Sequence, residues 1–460
     1  MPLNKQEFSD NLNDHKKIFF SYAVKISPVN FTLLLEYFVE KADDVFFYIE
    51  PENKISFLSF DSLSRQSFGF DEINSLAGMI ELLNSKLISN HSDYSGYNLP
   101  SFILTSKFPI KRNSEEWKDF GDVDLIVPKI ILYQNSDTCF LIANQFTENF
   151  VRQGFFNDFL ETQAGLIYNL ENKLTPKNNS PSGIRVKEDQ DELSNWTKDI
   201  NQLLTKLPEQ QIDKVVISRR VEGEIINEIS WKKIIDELSG KYPSCTNFLY
   251  KSSDSIFFGS TPEVLIKFNQ NKFSTEALAG SIKRGLSADE DKTFELELLN
   301  SKKNINEHNA VLDFITNALK DFSENINYSK APVVKKLPNI QHLQTSINGT
   351  LKKNANILQV IKSMFPTPAV CGIPKSKSLK LIEETENFDR GLFSGMIGWF
   401  NNDGYGEFFV SIRSALVNKN KIYAYAGCGI VDGSDSIEEF EETNLKLKPI
   451  LSLFNNADKS

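Results

Sequence analysis

The sequence lacks the marks of several broad protein classes. No stretch approaches the roughly 18 consecutive apolar residues that a membrane span needs. The opening MPLNKQEFSDNLNDHKK is polar, with no apolar run ahead of a small-residue cleavage site. Cysteine is sparse: Cys139, Cys245, Cys371 and Cys428 lie far apart with no CxxC pair. That pattern speaks against a disulfide framework or a zinc site and for reduced thiols in a cytoplasmic setting. An excess of positive charge is missing too: 51 Lys and Arg face 61 Asp and Glu, a formal net charge of −10. Nucleic-acid binding needs a basic surface, so that class is not expected. GxGxxG, GxxxxGK[ST], GxSxG, HExxH and the EF-hand loop are absent, and the glycine-bearing AGCGIVDGSD (426–435) matches neither phosphate-cradling pattern. Met, Trp and His are scarce while Phe reaches 36, which reads as core composition.

What is present suits a large folded chain. It has 460 residues, 40% hydrophobic, ample for a sizeable core. Alternation and helical spacing predict strands over 17–27, 45–50, 55–61, 101–105, 129–134 and 138–144, and helices over 32–41, 72–87 and 156–172. Polar punctuation falls at 88–100 and at 176–192, the second being the better candidate boundary or surface excursion. Beyond it, a helix from about 191 precedes a strand over 212–222. Strands over 255–259, 263–268 and 272–278 lead to one long helix over 289–321 and another over 354–364. Strands over 392–400, 406–417 and 421–426 come before a last helix over 435–454. Hairpins alternating with long helices predict an α+β fold with mainly antiparallel sheet. Residues 1–185 form a first part without a recognisable chemical motif, and 186–455 carry the chemistry.

Several residues there have a chemical and a bland interpretation side by side. Lys214 in IDKVVISRR shares a strand face with Ile212 and Val216; partial desolvation would favour its neutral, basic form, though taken alone an edge lysine that deters aggregation is the plainer interpretation. Glu263 follows a Thr-Pro turn at the mouth of a strand, as a general acid or as a solvated glutamate. Gly280 and Ser281 end EALAGS, where backbone N–H groups are available to a carboxylate. Glu307 lies on a helix beside Val311, Phe314 and Ile315. Glu439, Glu442 and Lys446 form one stripe of the last helix, away from Ile437, Phe440, Leu447 and Leu451. The bland interpretation is a solvated acidic face; the chemical one joins Glu442 to Glu307 around a hard cation, since Mg²⁺ takes few carboxylates plus water and substrate oxygens. His342 and Arg413 have equally plain alternatives in a core histidine and a surface ion pair.

The order of these pieces is more telling than any one of them. KVVISR, GSTPE, EALAG, KxxxEH, QHLQT, PTPAVCGIPK, RGLFSGMIGW, EFFVSIRSA and AGCGIVDGSDSxEEFEET follow one another over roughly 190–455. The series resembles the chorismate-utilising enzymes: the isochorismate, salicylate, anthranilate and aminodeoxychorismate synthases. Within them PTPAVCG resembles the isochorismate synthases, because the amine-forming relatives usually carry a PAGT-type segment there. The family's usual Thr of ALAGT is Ser281 here, which keeps a hydroxyl.

The resemblance implies one large α+β unit, mainly antiparallel, with residues 1–185 as its first part. It implies chorismate as substrate, Mg²⁺ as cofactor and isomerase chemistry, with no obligatory protein partner and no membrane. By motif position, Lys214 is the base and Glu263 the acid. Glu307 and Glu442 hold Mg²⁺, and Glu439 stands nearby as a further or water-mediated ligand. Gly280, Ser281, His342, Ala369, Arg413, Gly427 and Lys446 line the substrate pocket. A local gathering of Mg²⁺, Arg413 and Lys446 would offset two substrate carboxylates inside an acidic protein. The alternatives are a salicylate synthase, an ammonia-using relative, and a chorismate-binding protein without turnover. The product would enter menaquinone or siderophore biosynthesis.

Overall fold

The computed structural model describes residues 14, 17–51, 54–147, 153–175, 182–187 and 190–456. Runs such as DVFFYI, buried at every position, cannot form the half-wet strands of a surface sheet; they belong between layers. The strand Asp44–Ile49 is flanked on one side by Ile55–Phe68 and on the other by Thr246–Ser252. From there the antiparallel ribbon continues through Ser255–Thr261, Ser414–Asn418 and Lys421–Ile430 to Lys214–Ile225. In the other direction it passes through Val123–Asn135 and Thr138–Thr147 to Ile18–Ile26.

A second antiparallel ribbon starts where Phe102–Ser106 pairs with residues 123–126. It runs through Met396–Phe400, Tyr405–Val410, Val264–Asn269 and Lys272–Lys283 to Ile340–Leu351. Aromatic side chains fill the space between the ribbons: Tyr48 stacks on Phe409, Phe248 meets Phe409 at 5.0 Å, and Tyr133 meets Trp399 at 6.5 Å. This is where the abundant Phe goes. Helices coat the outer faces, Glu192–Glu209, Lys302–Lys320 and Ile357–Met364 on one core, Phe31–Lys41 and Trp231–Lys241 on another. The α+β, mainly antiparallel expectation holds. No helix among the described residues is long and apolar enough to cross a membrane.

Differences from the sequence reading cluster at breaks. The helix over 289–321 is two helices, Ala288–Asn300 and Lys302–Lys320, separated by Ser301, whose side chain accepts from Asn304 N and caps the second. The strand over 406–417 is likewise two, Tyr405–Val410 and Ser414–Asn418, interrupted where Arg413 adopts φ +51°. The strand over 392–400 begins only at Met396, after a turn with Ser394 at φ +59°. Of the polar stretch 176–192, residues 176–181 and 188–189 lie outside the described residues.

Candidate active site

Lys214 opens the strand Lys214–Ile225 and is buried, with its Nζ 2.7 Å from Glu307 Oε1. Glu307 reaches it from the second turn of Lys302–Lys320. The adjoining His308 is buried and bonds Thr345 through Nε2 at 2.8 Å, which fixes the helix against the sheet. Gly429, on the neighbouring strand, leaves room for the pair: a Cβ there would lie 2.5 Å from Lys214 Cε and 3.2 Å from Glu307 Oε1. The edge-strand alternative for Lys214 fails, because Gly372–Ile373 pairs with Val215 and Lys214 on one side and Lys421–Ile430 pairs along the other from Val215.

Glu263 sits between Ser255–Thr261 and Val264–Asn269, with its backbone pinned at both ends. Its N–H donates to Thr261 Oγ1 at 3.2 Å and its carbonyl accepts from Val410 N at 3.1 Å. Thr367 Oγ1 donates to Glu263 Oε1 at 3.1 Å. Burial pushes the Glu263 carboxyl up to about 7; the Thr367 hydrogen bond opposes the rise and the Glu276 charge adds to it. A carboxyl that keeps its proton near neutral pH is suited to act as an acid.

A second corner gathers donors. Arg413 is buried, and among the described residues no carboxylate lies within ion-pair distance of it. Its Nη2 lies 3.4 Å from His342 Nε2, while His342 Nδ1 is 2.9 Å from Ser281 Oγ and 3.3 Å from Gly280 O. A guanidinium only donates, so Nε2 is the acceptor and the ring proton is assigned to Nδ1. Burial, then the charges of Arg413 and Lys446, hold His342 well below the usual histidine range. Gly280 has φ +74° and lies at a register shift between Lys272–Lys283 and Ile340–Leu351, a bulge that re-aims Ser281. Ser281 N donates to Asn304 Oδ1 at 3.3 Å.

The last helix, Ser436–Leu451, overturns the solvated-acidic-face interpretation. Glu439 is 4% exposed whereas Ile437 is 58% exposed, so the acidic stripe faces inward. Glu442 Oε1 lies 2.5 Å from Lys446 Nζ, which also donates to Gly427 O at 2.9 Å. Glu439 Oε1 lies 3.2 Å from Lys303 Nζ. Burial raises the Glu439 carboxyl, helped by Glu442. Against the upward push of burial, Lys446 holds Glu442 below the usual carboxylate range.

These groups meet in one cleft of about 690 Å³. Lys214, Glu263, Gly280, Ser281, Glu307, His342, Ala369, Arg413, Gly427, Glu442 and Lys446 all line it. Of the expected residues only Glu439 stands back from the lining, against Lys303. The sequence reading passed over Thr367, Asn304 and Lys303, which touch Glu263, Ser281 and Glu439. Thr367 could have been found, since it lies inside PTPAVCG. Lys303 could too, as the first residue of KxxxEH, while nothing in the pattern marks Asn304.

The carboxylates also bear on a metal. Among the described residues no group of three or more His, Cys, Asp and Glu side chains is arranged to hold an ion. Glu307 and Glu442 nevertheless open on the same cleft, and Lys303 feels the charges of Glu439, Glu307 and Glu442 together. Two carboxylates completed by water and ligand oxygens suit a Mg²⁺ ion, which keeps much of its hydration.

Comparison with known proteins adds to this geometry. The profile of the chorismate binding enzyme family matches residues 6–455. The chain belongs to that family. The match extends well before the motif series, through the part that carries no recognisable motif. Isochorismate synthase MenF of Bacillus subtilis is 33% identical over 350 residues, 75% of this chain and 72% of that protein. The salicylate biosynthesis isochorismate synthase of Pseudomonas aeruginosa is 31% identical over 337 residues, 72% of this chain and 69% of that protein. Among solved structures, the menaquinone-specific isochorismate synthase MenF of Escherichia coli superposes with a TM-score of 0.74 at 19% identity, covering 98% of both chains. Anthranilate synthase component I of Streptococcus pneumoniae gives 0.67 at 19% identity, over 89% of this chain and 92% of that one. At such identities the structural likeness speaks for the shared fold.

Proposed function

We propose that the chain is an isochorismate synthase: an isomerase that reversibly converts chorismate into isochorismate with Mg²⁺. The observation that carries this reading is the cleft itself. A buried lysine at the start of one strand and a proton-holding glutamate between two others line it together with a buried arginine that has no carboxylate partner among the described residues.

In this reading Lys214 takes a proton from a water that attacks C2 of the ring. The two ring double bonds shift, the C4–O bond breaks, and the hydroxyl leaves as water with the proton from Glu263. One water enters and one departs, so the product is an isomer of the substrate. Arg413 and Lys446 offset the substrate's two carboxylates, while Gly280 and Ser281 line the same cleft, the Ser281 N–H being held by Asn304 Oδ1. Glu307 and Glu442 would hold Mg²⁺, which when bound supplies electrostatic stabilisation at the ring carboxylate. Small Ala369 leaves space where the PTPAVCG segment meets the cleft. A vibriobactin-specific isochorismate synthase matches at 32% identity, so supply of a siderophore route fits the proposal, with menaquinone biosynthesis as the other route.

The test is incubation of purified protein with chorismate, with Mg²⁺ and with excess chelator, followed by chromatographic separation. Isochorismate that forms only with Mg²⁺, without stoichiometric pyruvate, is the expected outcome. Salicylate with matching pyruvate would make the chain a salicylate synthase instead. Chorismate that never changes would leave a binding protein without turnover.

A further inference from the structure

The Glu263 carboxyl has two oxygens, and Thr367 Oγ1 donates to one of them, Oε1, at 3.1 Å. We infer that Thr367 and the Lys335–Glu276 pair are positioning residues for Glu263: Thr367 occupies Oε1 so that the acidic proton is presented from Oε2, and the pair sets the charge behind it. This inference rests on the reading of Glu263 as the acid.

Thr367 is buried and does not line the cleft, whereas Glu263 and Ala369 do. It therefore stands behind the acid and acts through it. Its own backbone is held: the carbonyl accepts from Val370 N at 3.2 Å and from Cys371 N at 3.0 Å, which closes the turn of PTPAVCG. A hydroxyl so placed, 3.1 Å from Oε1, removes the freedom of the carboxyl to swap oxygens. The neighbouring Pro262 is held as well. Lys335 Nζ, from the strand Val333–Lys336, donates to Pro262 O at 2.9 Å and to Glu276 Oε1 at 2.7 Å. Gln344 Nε2 takes the other oxygen of Glu276.

The charged groups that face Glu263 are Glu276, Lys214 and Arg413, and they act in opposite senses. Glu276 raises the affinity of Glu263 for its proton. Lys214 and Arg413 lower it, as does the Thr367 hydrogen bond. Loss of Thr367 or of the Glu276 charge should therefore displace the high-pH limb of kcat in opposite directions. A purely structural role for either residue would not produce such a pair of shifts.

The experiment is a set of kcat and KM profiles against pH, with chorismate and saturating Mg²⁺, for the parent and for Thr367→Val, Thr367→Ser, Glu276→Gln and Glu263→Gln. Thr367→Val should lower kcat by about tenfold or more through misaimed acid, with KM changed less than about twofold. Its high-pH limb should move up, and Thr367→Ser should restore both features. Glu276→Gln should move the limb down. Parent-like kcat and an unmoved limb in Thr367→Val, or a serine variant no better than the valine one, would overturn the inference. Should Thr367→Val fail to fold, an unmoved limb in Glu276→Gln overturns it equally. Glu263→Gln separates the two levels: retained turnover there removes the acid assignment itself, whatever Thr367 does.

Discussion

At the scale of single residues, the cleft depends on groups kept away from bulk water. Lys214→Ala removes the proposed base but leaves the strand pairing and the nearby Gly429 intact. Turnover should fall by about 10²–10⁴ with the circular-dichroism spectrum unchanged. Near-parent activity in that variant would sink the mechanism. Glu263 makes a pH prediction with a definite sign. Its folded-state carboxyl is raised from 4.5 to about 7, so kcat should decline as pH rises through about 7 and the acid loses its proton. The same shift links to stability: the contribution is fully present below about 4.5 and is lost as pH rises through about 7. It amounts to roughly 3 kcal/mol. Denaturation midpoints between those pH values should fall for the parent and stay flat by comparison in Glu263→Gln. Most of these residues could be read from motif order, because a motif fixes which side chain stands where along the chain. Thr367 and Lys303 also fall inside those motifs, but what they touch could not be read. Thr367, Asn304 and Lys303 matter through contacts made across 104, 23 and 136 positions, and one sequence does not display contacts.

At the scale of elements, caps and turns aim the chemistry. Asp435 accepts from Ile437 N and Glu438 N at 2.9 and 3.0 Å, and so starts the helix that carries Glu439, Glu442 and Lys446. Asp435→Ala should cost about 1 kcal/mol in chemical denaturation and raise the KM for chorismate more than it lowers kcat. At Gly280 a Cβ would lie 3.1 Å from Asn304 Cβ, on a residue with φ +74°. Gly280→Ala should therefore destabilise by about 1–2 kcal/mol and weaken substrate binding, measured by calorimetry with chorismate. Regular elements were legible because their spacing is a local property. Ile18–Ile26, Phe31–Lys41 and Thr138–Thr147 lie within a residue or a few of the expected ranges. Their interruptions were not. Ser301 and Arg413 break a helix and a strand through a cap and a left-handed backbone that neighbouring elements impose. The inward acidic stripe was likewise hidden, since Glu439 and Leu447 of the two stripes are both buried and amphipathic spacing does not say that a helix turns both from water.

At the scale of the whole molecule, the two ribbons draw strands from both parts of the chain. Asp44–Ile49 pairs with Thr246–Ser252, and Phe102–Ser106 pairs with Met396–Phe400. Residues 186–455 expressed alone should therefore aggregate or remain unfolded despite holding every proposed catalytic group, because two interior strands would become bare edges. Co-expression with 1–185 should recover soluble protein and chorismate turnover; a soluble, active 186–455 fragment would contradict the expectation. The pairing of Asp44–Ile49 with a strand begun at Thr246 also sets a clock for a newborn chain. Some 200 residues must emerge between the two, about 10–40 s at a synthesis rate of roughly 5–20 residues per second. Throughout that interval a strand rich in Phe and Tyr has one side unclaimed. The wait is written into the order of the chain, so speed of translation and the presence of chaperones should govern its yield more than the final stability of the fold does.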